Sequence, residues 1–555
     1  MKKLILMIAC IALVSGIVFA GGGGQASSPA AAPQDPNYPI EISVYHETGN
    51  APRPTANNPI ALYLKDKLNV TFSWDILVGD AKQKQGVMIA SGQYPDLLEL
   101  RDSTWIDGGA LIPLEGLIDQ YGPRIKALYK DVWDKMKSAD GHIYYLINYG
   151  VIQGLDHNPN YDQTAFWIQK AILKDAGYPK VVTIDQYFDL IENYYKKNPT
   201  INGQPAIPFT ILCDDWRAFE LWNPPNFLAG NPNEGNGIVD RAKNFEYKAF
   251  FTLDVSKRWF KKLNEMNAKG LVDRTGFTDN YDQFLAKISA GRLLGQSVQG
   301  WQFMWSADAA NRAANGNIRT MAPLPVVFDT SITPHYRNLP IPNLLRGVGI
   351  SVSAKDPVRI IRYFNDLLAE DVQKTIHWGI EGQHWQKNAQ GVPYRTPEQR
   401  ENWRNRAWQE ENRLLLLGDV TPKIQGSFSD GYPYDLTYYY PEREASLLPE
   451  DIELFKAYDV TSYNELMDKN PPPNNPWFPT WSMATPPDGS PAQLAITRME
   501  QTMKQRLPQM ILAAPADFDR LWDAYVAEMN GNGLATYEKF MQDSLNQRIK
   551  DWNIK

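Results

Sequence analysis

The stretch that determines the fold class spans residues 40–100, where strand patterns alternate with helix patterns. It opens with IEISV at residues 40–44, in which apolar and polar side chains alternate with the period of a β-strand. An Asn-Pro pair at residues 58–59 then supplies a cap and a first-turn proline for a helix. Two further strands follow, VTFSW at residues 70–74 and YPDLLEL at residues 94–100. Strands that alternate with helices predict a largely parallel sheet.

The rest of the chain continues in the same α/β style and becomes helical at its end. A helix is predicted over residues 166–176. Thr183 and Gln186 have the spacing of a capping box at the start of the next helix. Residues 518–529 and 537–552 have helical patterns, which predict a helical C-terminal extension.

The bulk composition indicates an ordinary globular protein. The chain has 555 residues, of which 43% are hydrophobic and 21% charged, so it can form several structural units with a sizeable core. The net charge of −7 argues against a nucleic-acid partner, which would require a basic surface. The two cysteines are Cys10 and Cys213, and removal of Cys10 with an export signal would leave no intrachain disulfide.

The N-terminus has the pattern of a secretory signal peptide. Two lysines at residues 2–3 precede an apolar run at residues 4–19, and cleavage is predicted after Ala20. Residues 21–37 are predicted to form a flexible leader. A retained anchor and lipidation at Cys10 are the alternatives. We therefore expect an exported protein, located in the periplasm or at the outer face of the cytoplasmic membrane.

Six motifs follow one another in a consistent order between the first strand and residue 385. They comprise a turn, a strand entry, a helix with a capped helix after it, a helix that leads into a strand, a glycine-rich crossing and a Trp-Gly motif. They are SGQYPD (91–96), DGHIY (140–144), WIQK to TIDQYF (167–188), FLAKISAGR (284–292), GVGISV (347–352) and HWGIEG (377–382).

In this order, the motifs resemble those of the extracellular solute-binding proteins of carbohydrate ABC importers. The similarity is to the maltose-binding type, and in particular to its larger oligosaccharide-associated subgroup. It implies a two-lobed periplasmic-binding-protein fold (type II-like) that closes on ligand by a hinge motion. The resemblance implies hinge crossings near residues 149–155, 315–321 and 370–377.

The resemblance also implies a domain division, and one departure from the family pattern bears on metal binding. Lobe 1 is expected to contain residues 38–152 and 318–373. Lobe 2 is expected to contain residues 153–317 and 374–555, including the C-terminal helices. The subgroup often has a calcium-binding acidic loop after the capped helix, but residues 198–205 carry no carboxylate here. We therefore expect no calcium, no other metal and no cofactor.

The first candidate ligand-binding residues follow the strands of lobe 1. Tyr45, His46 and Glu47 come directly after the first strand, at a carboxyl end where ligands bind in open α/β sheets. A surface turn is the alternative interpretation. Asp96 either accepts hydrogen bonds from sugar hydroxyls or stabilises its turn. Trp105 lies just beyond the third strand.

Further candidates lie in the second half of the chain. The resemblance implies a stacking aromatic near Trp301 and Trp305, although their four-residue spacing is also typical of a buried helical face. Trp216 is a candidate stacking plate or lid anchor, with buried packing as the alternative. Arg346 could fork to two hydroxyls or to an acidic sugar, or form a surface salt bridge.

The last candidates surround the Trp-Gly motif. His377, Glu381 and His384 have spacings that would suit zinc on a helix, but two glycines interrupt the segment. We therefore expect no metal there. Trp378, Glu381 and Trp385 are instead candidates for ligand contact.

Together these features predict a non-catalytic binding protein that captures a sugar, more specifically an oligosaccharide, and delivers it to ABC permease subunits. Contact with a membrane is expected only through the permease or a lipid anchor. The alternatives are a secreted glycoside hydrolase and a glycan-binding surface protein without a transporter. The sequence contains no nucleophile elbow, zinc-protease motif or phosphate loop. A peptide or another polar solute stays open as the ligand.

Overall fold

A computed structural model describes residues 36–47, 52–55, 57–138, 140–153, 161 and 164–555. The predicted signal peptide, and the predicted leader as far as residue 35, lie outside the described residues. The end of the first predicted crossing, residues 154–155, also lies outside them.

Two sheets with separate cores form the framework. Their strands are β1 (Ile40–His46), β2 (Val70–Ile76), β3 (Leu97–Leu100), β4 (Tyr145–Ile147), β5 (Phe166–Gln169), β6 (Ile207–Thr210), β7 (Leu293–Gln296), β8 (Met321–Leu324) and β9 (Gly347–Ile350). The first sheet has the order β2-β1-β3-β9-β4 and the second the order β8-β5-β7-β6. These sheets and their packed helices are the two lobes expected from the sequence.

The longer helices cover the two sheets and build the C-terminal region. They are α1 (Pro59–Leu68), α2 (Ala81–Ser91), α3 (Ile184–Lys197), α4 (Asp254–Ala268), α5 (Tyr281–Ser289), α6 (Pro357–Leu367), α7 (Glu370–Trp378), α8 (Pro449–Tyr458), α9 (Pro491–Leu512), α10 (Phe518–Gly531) and α11 (Leu534–Asp551). No helix within the described ranges is both long and apolar enough to cross a bilayer.

Local sequence signals explain where several of these helices begin. The Asn58 side chain accepts hydrogen bonds from the backbone N–H groups of Ile60 and Ala61 at 3.0 and 3.2 Å, which caps α1. Thr183 and Gln186 form the reciprocal capping box predicted for α3. Both predicted helix starts are therefore confirmed.

Both sheets are largely parallel, as the sequence predicts, with one reversed strand in each. β1 is parallel to β2 and β3, and β7 is parallel to β6. However, β9 runs antiparallel to β3 and β4, and β5 runs antiparallel to β7 and β8. Sequence alternation reports only neighbouring βα units, whereas β5 and β9 enter their sheets after long excursions of the chain.

The return to the first lobe also lies further along the chain than expected. β8 pairs with β5 in the second sheet, and the second core still includes Tyr336. The chain rejoins the first sheet only at β9. Conversely, Leu414 and Val420 pack in the first core, although the predicted division placed them in lobe 2. The C-terminal helices α9 to α11 contribute to the second core.

Gly347 in β9 provides a test of this sheet order. A Cβ atom at Gly347 would lie 2.4 Å from the Leu146 carbonyl oxygen of β4. Gly347→Ala should therefore lower the free energy of unfolding by about 3 kcal/mol or more, because backbone must move. Gly86→Ala is the matched control, since that exposed α2 position has nothing within 4 Å. The control should raise stability by about 0.5–1 kcal/mol, measured by chemical denaturation. Equal effects of both changes would contradict the pairing of β9 with β4.

Candidate functional site

Two groups of functional side chains follow the carboxyl ends of parallel strands. One group follows β1 and β3 in the first sheet, and the other follows β6 and β7 in the second. Ligands of open α/β sheets bind at this end of the strands. The two groups are therefore the natural candidates for the two sides of a binding site.

The first group, here called the polar cluster, is built around two buried side chains, His46 and Glu99. Its members are His46, Glu99, Tyr149, Arg346, Asp419 and Lys423. The His46 ring is fully buried at the end of β1. Its Nδ1 atom lies 3.5 Å from Glu99 Oε2, and its Nε2 atom lies 3.4 Å from Asp419 Oδ2. The imidazole thus bridges two carboxylates.

Asp419 is the centre of the polar cluster. Its Oδ1 atom lies 3.1 Å from Arg346 Nη2 and accepts a hydrogen bond from the Tyr149 hydroxyl. Burial acts to raise the pKa of the Asp419 carboxyl, but its contacts with His46, Arg346, Lys423 and Tyr149 outweigh burial and hold the pKa well below its usual range. Asp419 therefore stays ionised and orients the groups around it.

Two cations of the polar cluster contact the same aromatic ring. The Arg346 guanidinium lies 4.2 Å and the Lys423 ammonium 3.9 Å from the centroid of the Tyr149 ring. Burial lowers the pKa of Lys423 to about 8, although Asp419 opposes this shift. The ring and Asp419 together hold both cations at the edge of the first sheet.

Glu47 borders the polar cluster on the side of α2. Its carboxylate accepts a hydrogen bond from Gln85 Nε2 at 3.0 Å, and its backbone N–H donates to Glu99 Oε2 at 2.7 Å. Burial raises the pKa of Glu47 to about 7. The nearby Glu99 carboxylate adds to this shift, and Arg101 opposes it. At neutral pH, Glu47 can therefore offer both a donor and an acceptor.

The second group, here called the aromatic platform, consists of Trp216, Phe219 and Trp301. The Trp216 and Trp301 rings are 5.9 Å apart and nearly parallel, with an interplanar angle of 6°. Phe219 stacks on Trp216 at 6.2 Å. Trp216 is 52% exposed and Trp301 is 40% exposed, which is unusual for large aromatic side chains. The platform therefore presents flat apolar faces to solvent.

Polar side chains hold the aromatic platform in place. The Arg217 guanidinium lies 4.6 Å from the Trp216 ring and 3.9 Å from the Tyr281 ring. Trp301 Nε1 donates to Gln299 Oε1 at 2.5 Å. The backbone N–H of Gln299 donates in turn to Glu220 Oε1 at 3.1 Å. Burial raises the pKa of Glu220 to about 8, so this side chain is a neutral support at physiological pH.

Several residues predicted to contact ligand are instead buried. Tyr45 and Trp105 pack edge to face at 5.5 Å in the first core, and Trp105 Nε1 donates to the Glu99 carbonyl at 3.0 Å. Trp378 and Trp385 belong to a small third core, where their indole N–H groups donate to backbone carbonyls. These four rings present no face to solvent, because strand alternation and core packing direct them inwards.

The other predicted residues divide between structural and exposed positions. Asp96 accepts hydrogen bonds from Ser43 N, Ser43 Oγ and Lys355 N at 2.8, 2.6 and 2.9 Å, which supports the turn interpretation. Glu381 is exposed and pairs with Lys387 at 2.9 Å. Trp305 is exposed in the helical turn that follows the platform. Of the predicted set, His46, Glu47 and Arg346 lie together in or beside the polar cluster, and Trp216 and Trp301 form the platform.

Other side chains of the site were missed by the sequence interpretation. In the sequence, Glu99 is recognisable only as one residue of a predicted strand. Asp419 and Lys423 lie beyond the segment that carries the family resemblance.

The expected absence of metal concerns residues 198–205. Thr200–Ile201 and Gln204–Pro205 pair as an antiparallel hairpin. Asn202 and Gly203 form its turn with positive φ values of 51° and 75°. Within the described part of the chain, no three His, Cys, Asp or Glu side chains are grouped to hold a metal ion.

Comparisons with known proteins support the family resemblance. No family model matches the chain. A curated protein of Streptococcus pneumoniae serotype 4, the fructooligosaccharide ABC transporter substrate-binding protein FusA, is 22% identical over 584 residues, which cover 98% of each protein.

Solved structures show the same architecture. The alginate-binding protein AlgQ2 without calcium ion matches with a TM-score of 0.62 and 18% identity, over 92% of this chain and 98% of its own. FusA in complex with kestose matches with a TM-score of 0.61 and 18% identity, over 92% and 99% of the two chains. An extracellular solute-binding protein of Bifidobacterium longum subsp. infantis has a TM-score of 0.61 and 17% identity, over 92% and 98%.

These matches confirm the two-lobed fold and the resemblance that the six motifs indicated. FusA is named as a substrate-binding protein of an ABC transporter.

The role of Asp96 can be tested by truncation. Asp96→Ala removes the acceptor of three hydrogen bonds and leaves buried donors unpaired, so the free energy of unfolding should fall by about 3 kcal/mol. Asp119→Ala is the control, because this exposed carboxylate forms a surface ion pair with Lys126 and should change stability by less than about 0.5 kcal/mol. The folded Asp96 variant should keep its ligand affinity. A loss of affinity at unchanged stability would assign Asp96 to the binding site instead.

Proposed function

We propose that this chain is an exported, non-catalytic solute-binding protein that captures a sugar or oligosaccharide between its lobes and delivers it to the permease of an ABC importer. The observation that carries the proposal is the exposed, parallel pair Trp216 and Trp301 at the carboxyl ends of β6 and β7. The full-length similarity to FusA supports the transport role.

The chemistry of the two groups suits a carbohydrate. A sugar ring has apolar C–H faces, for which flat aromatic side chains are the matching surface. Its rim of hydroxyls requires donors and acceptors in close alternation. The polar cluster supplies both, with Arg346 and Lys423 as donors and the carboxylates of Asp419 and Glu47 as acceptors.

The first predicted crossing packs against a later segment of the chain, and a hinge would act there. Residues Gln425–Gly426 pair in parallel with Ile152–Gln153. Asp419 and Tyr149 are joined by a hydrogen bond in the same region. Closure about this junction would bring the aromatic platform towards the polar cluster and enclose the ligand.

Two carboxyl groups near the site, Glu220 and Glu99, are not placed to act in hydrolysis. A glycosidase needs two carboxyl groups on either side of the scissile bond, about 5–10 Å apart. Glu220 has the raised pKa of a general acid, but it is buried and hydrogen-bonded to Gln299 and Gln302 beneath the platform. Glu99 is also fully buried and is held by Arg101. Neither carboxyl is exposed to a ligand on the platform.

A thermal-shift screen tests the proposed function. The purified protein would be heated with a panel of oligosaccharides, monosaccharides and peptides. A ligand of the native state at 100 times its Kd should add about 2.7 kcal/mol of stability. We expect a shift with one glycan class, with that glycan recovered intact by mass spectrometry. Recovery of a cleaved glycan would indicate a hydrolase, and a shift with peptides alone would discard the sugar assignment.

Trp301→Ala tests the aromatic platform. Loss of the stacking face should weaken glycan affinity about tenfold or more, measured by titration calorimetry. Trp481→Ala is a matched control, because Trp481 is 38% exposed but lies outside the platform. The control should bind glycan as the unchanged protein does. Equal affinities of the two variants would remove the platform from the site.

A further inference from the structure

The charges on the first-sheet side of the candidate site are nearly balanced. Three carboxylates and three cations lie at the edge of the first sheet: Glu47, Glu99, Asp419, Arg101, Arg346 and Lys423. Because burial raises the pKa of Glu47 to about 7, its charge is only partly formed at neutral pH. The group as a whole is therefore within about one charge of neutrality.

Both guanidinium groups in this region are already occupied by protein carboxylates. Arg101 Nε and Nη2 each lie 2.9 Å from Glu99 Oε1. Arg346 Nη2 lies 3.1 Å from Asp419 Oδ1 and 3.7 Å from Glu99 Oε1. Recognition of a sugar carboxylate relies on a guanidinium with two free, parallel N–H groups. Arg101 offers no such fork without losing its partner, and at Arg346 the Nη2 atom that a fork would use is already held by Asp419, although its buried Nε has no hydrogen-bond partner among the described residues.

Lys423 also does not supply an unpaired positive charge for a sugar carboxylate. Its ammonium is directed to the Tyr149 ring at 3.9 Å, and the ionised Asp419 lies close enough to raise its pKa against the effect of burial. An anionic sugar placed here would meet Asp419 as well as Arg346, with the buried Glu99 carboxylate 3.7 Å from the guanidinium. A hydroxyl group is favoured instead, since it can donate to a carboxylate and accept from a cation at once.

Arg217 is the exception, because no carboxylate among the described residues forms an ion pair with it. Its guanidinium is held between the Trp216 and Tyr281 rings, so aromatic faces rather than a counter-charge stabilise it. Glu220 beneath the platform is kept neutral by burial. Arg217 is thus the residue that an acidic glycan would have to use.

From this charge balance we infer that the ligand is an uncharged glycan and that the site discriminates against uronic acids and other anionic sugars. The inference rests on the proposed function and narrows its substrate class.

Matched pairs of oligosaccharides test the inference. Tetragalacturonic acid and tetramannuronic acid would each be compared with their carboxyl-reduced forms, which keep the linkages and length but carry no charge. Unmodified neutral oligosaccharides, including fructans and mannans, complete the panel. Affinities are measured by titration calorimetry at low and at physiological salt, because charge recognition weakens as salt increases.

We expect the tightest ligand of the panel to be uncharged, and each acid to bind at least about tenfold more weakly than its carboxyl-reduced form. An acid that binds as tightly as its reduced form, or more tightly, would overturn the inference and leave the proposed function standing. If no glycan binds and a peptide does, both the inference and the proposed function fail.

Two variants show whether the named charges set the preference. Asp419→Asn removes the carboxylate that neutralises Arg346. The ratio of the affinity for the uncharged oligosaccharide to that for its acidic counterpart should therefore fall by about tenfold. Asp134→Asn is the control, because its highly exposed carboxylate pairs with Lys137 away from the polar cluster and the platform, and it should leave the preference unchanged.

Arg217→Gln should weaken both members of a pair to the same extent. A loss confined to the acidic member would show that Arg217 recognises a sugar carboxylate, and would overturn the inference even if Asp419→Asn does not fold.

Discussion

The buried carboxylate of Asp419 is the contact on which the candidate site depends. It comes from a segment more than 300 residues after β1, yet it reaches His46 at the end of that strand. The same carboxylate holds Arg346, just before β9, and Tyr149 at the first crossing. Burying a charge is costly unless partners surround it. Here the partners outweigh that cost, and three of them, His46, Tyr149 and Arg346, come from distant parts of the chain.

The two sides of the site use different physics. In the first lobe, ion pairs and hydrogen bonds hold each polar group in one orientation, so little reorganisation is needed when a ligand arrives. In the second lobe, Trp216 and Trp301 expose apolar area that a monomeric protein would normally cover. The neutral Glu220 beneath them supports the platform without attracting counter-ions. An ordered polar side and an open aromatic side suit a ligand that has both hydroxyls and apolar faces.

Much of the fold could be predicted because its signals are local. Strand alternation in β1 and the caps of α1 and α3 depend only on near neighbours, and the structure confirms them. The predicted helix at residues 166–176 is partly wrong, since Phe166–Gln169 is a strand and only Lys170–Asp175 is helical. A short, fully buried apolar run has no period that separates strand from helix.

The site was harder to predict because exposure and pairing are set by tertiary structure. Trp105 and Trp216 are the same residue type, but the Trp105 ring is fully buried and the Trp216 ring is half exposed. The side chains of Glu99 and Asp419 become neighbours of His46 only after the strands and the later segment have packed. No spacing along the chain encodes that contact, and the segment around Asp419 carried no motif.

The interleaved threading of the two lobes has a consequence for how the molecule is made. The first core joins Ile42 with Val420, and the second joins Phe166 with Leu545. Neither core can therefore be completed until the late segments of the chain have been synthesised. Contacts between residues so far apart in sequence also form slowly. The lobes are physical units but not genetic modules: neither can be cut out as one continuous segment, and trimming the last helix would damage the lobe that carries the tryptophans.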